Sequence, residues 1–118
     1  MDDASEKTLL TMILSLADPD LAARVAGARR LSYEWTGHGA YSLFTLGAPI
    51  PAAMLTQAQA SSGRVSFSLD DRPDRFGCVV FPDAGDVLLE VFAYHDDGLP
   101  EDWRARDLRP DLYAQGQA

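Results

Sequence analysis

"FGCVVFPDAGDVLLEVFAY", residues 76–94, is the stretch on which the fold turns. Residues 76–81 are a short apolar run, "PDAGD" at 82–86 carries turn residues, and "VLLEVFAY" at 87–94 is a longer apolar run rich in strand formers. The pattern predicts two strands joined by a tight connection. Both faces of 87–94 are apolar, except that Glu90 shares one face with Leu88, Phe92 and Tyr94. Such a strand belongs at the centre of a sheet, covered on each side.

Upstream, residues 64–69 alternate, with Val65, Phe67 and Leu69 on one face, and the charged "DDRPDR" at 70–75 follows as a loop. Leu31, Tyr33 and Trp35 alternate with Ser32, Glu34 and Thr36, which suits a half-buried strand; "GHG" at 37–39 is a turn, and residues 40–46 return as a second arm. Pro49 and Pro51 break that arm. Residues 52–60 admit either a short helix or a loop.

The N-terminal part is helical. Leu9, Leu10, Ile13 and Leu14 recur at helical spacing, after a start capped by Asp3 with Glu6 or by Ser5 with Thr8. "DPD" at 18–20 stops this helix and starts another, with Asp18 as N-cap and Pro19 in the first position. Gly27 is a plausible end. Residues 99–118 set Pro100, Trp103, Leu108, Pro110, Leu112 and Tyr113 among charges, and are expected to cross the domain as a helical turn plus irregular chain. The order of elements predicts one α+β domain over 1–118, with N-terminal helices packed on a mainly antiparallel sheet of about five strands.

Composition bounds the chemistry. The chain has 118 residues, enough to bury roughly two-thirds of the surface its unfolded form exposes. No apolar run approaches the ~20 residues of a membrane span, and "MDDASEK" carries acids where a signal peptide needs positive charge, so secretion by that route is not expected. A single cysteine, Cys78, excludes an internal disulfide, and a reducing cytoplasm is expected. Of the net charge of −8, residues 1–69 (six acids, five bases) hold −1 and residues 70–118 (twelve acids, five bases) hold −7. An acidic half repels phosphate backbones, which disfavours nucleic acid, and steers a basic protein partner toward itself.

Candidate sites are few. His95, Asp96 and Asp97 stand together, but "DDG" at 96–98 is a turn signal, and a zinc site would need His38, Cys78 and His95 to meet. No metal and no cofactor is expected. Cys78, between Gly77 and Val79, has the setting of a buried hydrophobe, and the chain has neither a nucleophile elbow nor a phosphate loop. Glu90 needs an answer, either from an arginine such as Arg64 or Arg75 or from solvent on an open face. The enzymatic or ligand-binding alternative is a pocket between sheet and helices that uses Glu90, His38 or His95; a general acid/base role for Glu90 would need Glu34 or His38 beside it. Trp103, within "PEDWRARD", is either an exposed aromatic among acids or a clasp holding the tail to the sheet.

Residues 76–103 resemble a pattern found in small, mostly uncharacterised bacterial proteins: an apolar strand, an acidic turn with Gly, then "L-x-x-L-E" with an aromatic, and a second acidic turn leading to Pro. The match runs through "GCVVFPDAGDVLLEVFAYHDDGLPEDW", with Leu89-Glu90 as its most recognisable part. Some of these proteins look like immunity partners of bacterial toxins, so the resemblance implies a compact, acidic, cytoplasmic, non-enzymatic module. The residues expected at its interface are Asp96, Asp97, Glu101, Asp102 and Trp103. A homodimer formed through a strand edge is the remaining possibility.

Overall fold

The computed structural model describes residues 3–112. Helices α1 (Ala4–Ala17) and α2 (Pro19–Ala23) lead into strands β1 (Arg29–Trp35) and β2 (Gly39–Thr45). Helix α3 (Ala52–Ser61) follows, then β3 (Val65–Leu69), β4 (Phe76–Asp83), β5 (Asp86–Ala93) and β6 (Leu108–Leu112). The strands form a single six-stranded sheet in the order β1-β2-β5-β4-β3-β6, every neighbouring pair antiparallel. The class is the expected α+β, with one strand more than the sequence suggested.

The extra strand is β6. The tail does cross the domain through a helical turn, Trp103–Ala105, but then pairs with β3, Pro110 lying opposite Phe67. Proline suits this position because β6 is an edge strand, with no further neighbour to receive an N–H. Tyr113 lies outside the described residues. The other edge, β1, carries a bulge between Arg30 and Ser32. Leu31 is thereby turned outward, at 44% exposure, against the expectation that it would share a buried face with Tyr33 and Trp35. A bulge on one edge and a proline on the other both discourage strand addition from a second chain.

Helix boundaries follow local chemistry. Asp18 caps α2 by accepting the Asp20 backbone N–H at 2.9 Å, and Pro19 takes the first helical position. The start of α1 departs from expectation. Asp3 precedes the helix without a side-chain cap, its carboxylate 3.5 Å from Lys7 Nζ instead, while the Ser5 hydroxyl donates to the Arg104 carbonyl at 3.4 Å. Residues 52–60 are helical, as part of α3.

All three helices contribute to one apolar core on one face of the sheet. Leu9, Leu10, Ile13 and Leu14 of α1 and Leu55 of α3 pack with Phe44, Phe67, Val80, Leu89 and Trp103. Into this layer α1 also carries a carboxylate. Glu6 is fully buried and meets Arg30 Nη1 of β1 at 2.7 Å, with Arg104 Nη1 at 3.9 Å and the Ser42 hydroxyl of β2 donating to its other oxygen. Arg104 stacks on Tyr33, 3.7 Å from the ring centroid, and the Tyr33 hydroxyl accepts the indole N–H of Trp103 at 3.0 Å. Burial still outweighs these partners and holds the Glu6 carboxyl above its usual 4.5. Burying such a cluster carries a desolvation cost that its ion pairs and hydrogen bonds must offset.

Replacing Arg30 by Met keeps the apolar stem and leaves the buried Glu6 carboxylate with only the Ser42 hydroxyl and Arg104 Nη1 at 3.9 Å. Urea unfolding at pH 7.5 should show a loss of about 3 kcal/mol. Because the variant raises the native pKa of Glu6 further, the native state binds the proton more tightly than the unfolded chain does. The loss should then shrink as pH falls toward 4.5, and adding Glu6→Gln should restore most of it at pH 7.5. A loss independent of pH would show that Arg30 acts only through packing.

Candidate functional site

Strand β5 is central, third in the sheet between β2 and β4, as its composition predicts. Its cover is not. Val87, Leu89 and Val91 face the helices and are buried, whereas Leu88, Glu90 and Phe92 project from the opposite face, which no helix covers among the described residues. The expectation of cover on both sides is thus corrected: one side of an apolar strand remains open.

The register builds that open face row by row. Across β1, β2, β5 and β4, Glu34 lies opposite Tyr41, Tyr41 opposite Glu90, and Glu90 opposite Val79. The row beside it reads Ser32, Leu43, Leu88 and Phe81. On the other side Phe92 sits between Gly39 and Gly77. A Cβ on Gly77 would fall 2.5 Å from the Phe92 ring and 2.6 Å from the Tyr94 hydroxyl, so glycine is what lets both aromatics lie down on the sheet. Phe92 and Tyr94 meet edge to face at 5.4 Å, and Tyr94 is 60% exposed.

Glu90 occupies the middle of this surface, half-buried. Its carboxylate accepts a hydrogen bond from the Tyr41 hydroxyl at 2.9 Å. Neither anticipated arginine answers it: Arg75 lies against Ser66 at 2.6 Å and Asp111 at 2.5 Å on the far flank. The Tyr41 phenol is held above its ordinary value, first by its hydrogen bond to Glu90, then by the Glu90 charge, with Glu34 adding to it.

The remaining candidates are spread over one end of the domain. Asp96 and Asp97 form the turn after β5, closed by Gly98 at φ +77°, and both are exposed. A Cβ on Gly98 would lie 2.4 Å from the Gly37 carbonyl, which also accepts the Leu99 N–H at 3.0 Å. The acidic turn is therefore pinned to the β1–β2 turn that carries the exposed His38. Glu101 and Asp102 are exposed on the next turn, Asp102 bound by Arg106 Nε at 2.9 Å. Trp103 is fully buried, so it is the clasp and not a surface aromatic. Its ring packs 6.1 Å from that of Phe67, which removes it from the expected interface.

His95 stands apart from Glu90 and His38. It lines a cavity of about 200 Å³ with Arg72, Asp74, Phe76, Asp97 and Arg106, and neither Glu90 nor His38 belongs to that lining. Its ring meets Phe76 edge-on at 5.1 Å, and both imidazole nitrogens are buried without a hydrogen-bond partner among the described residues. Cys78 faces the core, and burial pushes its thiol up to about 12. Among the described residues no group of three His, Cys, Asp or Glu side chains converges as a metal site would require, and no helix is long and apolar enough to cross a membrane.

Sequence reading singled out Glu90 but not the surface around it. The signal was present, since Leu88, Phe92 and Tyr94 repeat the apolar set on its own side. Glu6 gave no such signal, because a glutamate in the first helical turn normally reads as solvated. No protein family, curated protein or solved structure matches the chain.

A thiol held this high is protonated and shielded. Labelling of Cys78 by an aromatic disulfide reagent at pH 8 should proceed only at the rate of unfolding, and become immediate in urea. Trp103→Ala should cost about 3–5 kcal/mol in a urea titration, as the loss of a fully buried ring does. A cost below about 1 kcal/mol would remove the clasp.

Proposed function

We propose that this chain is a small acidic protein-binding module of the immunity or inhibitor kind, working in the cytoplasm by occluding a basic surface on another protein. What carries this reading is the way its charges are distributed. Most of the bases are engaged within the domain: Arg30 and Arg104 on Glu6, Arg75 on Asp111, Arg106 on Asp70 and Asp102, and Arg109 on Asp71 and Asp107, while Arg29 is exposed. Arg24 is held by the Leu46 and Ala48 carbonyls. Exposed acids are left over, and Asp96, Asp97 and Glu101 form no ion pair among the described residues. A net charge of −8 is thus presented outward, partly on two rigid turns at one end. Carboxylates so placed meet lysine or arginine on a partner and accelerate encounter.

A second reading, a small-ligand protein, rests on His95. An imidazole with two unpartnered nitrogens beside a cavity has unused hydrogen-bonding capacity. Thermal-shift screening against metals and small anions, with His95→Phe as control, separates the two. A ligand that stabilises the protein and loses its effect in that variant favours the second reading.

Once a partner is in hand, charge reversal at Asp96, Asp97 and Glu101 together should slow association about tenfold or more at low salt and flatten its salt dependence. Dissociation should change little. An unchanged association rate would remove the acidic turns from the interface.

A further inference from the structure

The open face of the sheet is distinct from the acidic turns, and its chemistry specifies an occupant more narrowly than net charge does. We infer that this face docks another protein through a lysine or arginine that projects from an apolar patch onto Glu90. The inference rests on the binding-module reading but not on Asp96, Asp97 or Glu101.

Three observations carry it. First, the surface is apolar where it is central: Leu43, Leu88, Phe81, Phe92 and Val79 lie around Glu90, and none of them belongs to the helix-side core. Second, the ionised groups within these rows are both carboxylates, Glu34 and Glu90, one on either side of Tyr41. The arginine of the β6 flank, Arg75, is engaged by Asp111. Third, Glu90 has one hydrogen bond, from Tyr41, while a carboxylate offers about four acceptor sites.

Cover by a purely apolar surface would strip water from Glu90 and return nothing. Cover by a second copy of this chain about a two-fold axis along the Glu34–Tyr41–Glu90 row would set Glu90 against Glu90 and Glu34 against Glu34, like charges in a drying interface. A guanidinium or ammonium from a different protein removes the cost in both cases. Arginine suits the place better, since its planar fork pairs with the carboxylate while its face lies on Tyr41 or Phe92. The surrounding apolar rows then exclude water from the pair.

The test is selection of a displayed library of random dodecapeptides on the full chain, with binding of the enriched peptides measured by titration calorimetry. The selected peptides should carry Arg or Lys flanked by apolar residues. Their affinity should fall about tenfold or more on Glu90→Gln, which keeps size and shape, and similarly on Leu88→Asp. Charge reversal at Asp96 and Asp97 should alter it by less than about threefold, as distant rim charges do. Circular dichroism and urea titration check that each variant is folded. Enriched peptides without a cation, affinity indifferent to Glu90→Gln, or no enrichment over the Leu88→Asp protein would each overturn the proposal. So would a dimer in sedimentation equilibrium that Leu88→Asp dissociates. A failure of the acidic-turn variants alone would leave this face standing.

Discussion

A carboxylate buried on the apolar side of the first helix organises this domain. Glu6 has no exposure, and its partners come from three places: Arg30 on β1, Ser42 on β2, and Arg104 on the turn before β6, where Arg104 also stacks on Tyr33. A helix laid on a sheet by hydrophobic contact alone can slide or rotate with little change in buried area. A carboxylate that must find a guanidinium and a hydroxyl cannot. Because burial raises its pKa against all of these partners, the cluster carries a desolvation cost that they must offset. It ties α1 to β1, β2 and the turn before β6.

The open side follows from where the helices pack. Helices α1, α2 and α3 share one core, so the sheet has a covered face and a bare one. On the bare face the chain places aromatics flat over Gly77 and two carboxylates around Tyr41. A solvated antiparallel face is ordinarily polar; this one is not. Together with the acids that form no ion pair among the described residues at the turns after β5, this face is the surface on which the proposed contact with another protein rests.

Much of this was legible in the residues. Leu9, Leu10, Ile13 and Leu14 marked α1, "DPD" marked the break to α2, and the two apolar runs around "PDAGD" marked β4 and β5. What could not be read was which of two apolar faces the helices would choose, because Val87-Leu89-Val91 and Leu88-Phe92-Tyr94 are similar as hydrophobic sets. Strand β6 was hidden by Pro110, whose presence argues against a strand unless the edge position is already known. Leu31 misled because a bulge breaks the alternation on which strand reading depends. Trp103 stood among charges in sequence, while its contacts, Phe67 and Tyr33, lie far away along the chain. Glu6 illustrates the general limit: a buried ion pair is a property of two distant segments, and neither contains it alone.

The closure between Glu6 and Arg104 also has a temporal side. The first helix is complete in its own hydrogen bonds by Ala17, yet the guanidinium that stacks beside its carboxylate, and the strand that finishes the sheet beside β3, come from residues 104–112. During synthesis from the N-terminus, α1 and the β1–β2 hairpin emerge with their charged seam incomplete and wait for nearly the whole chain. Pairings this far apart in sequence slow the search for the native state. The domain is thus one that closes late, its beginning secured by its end.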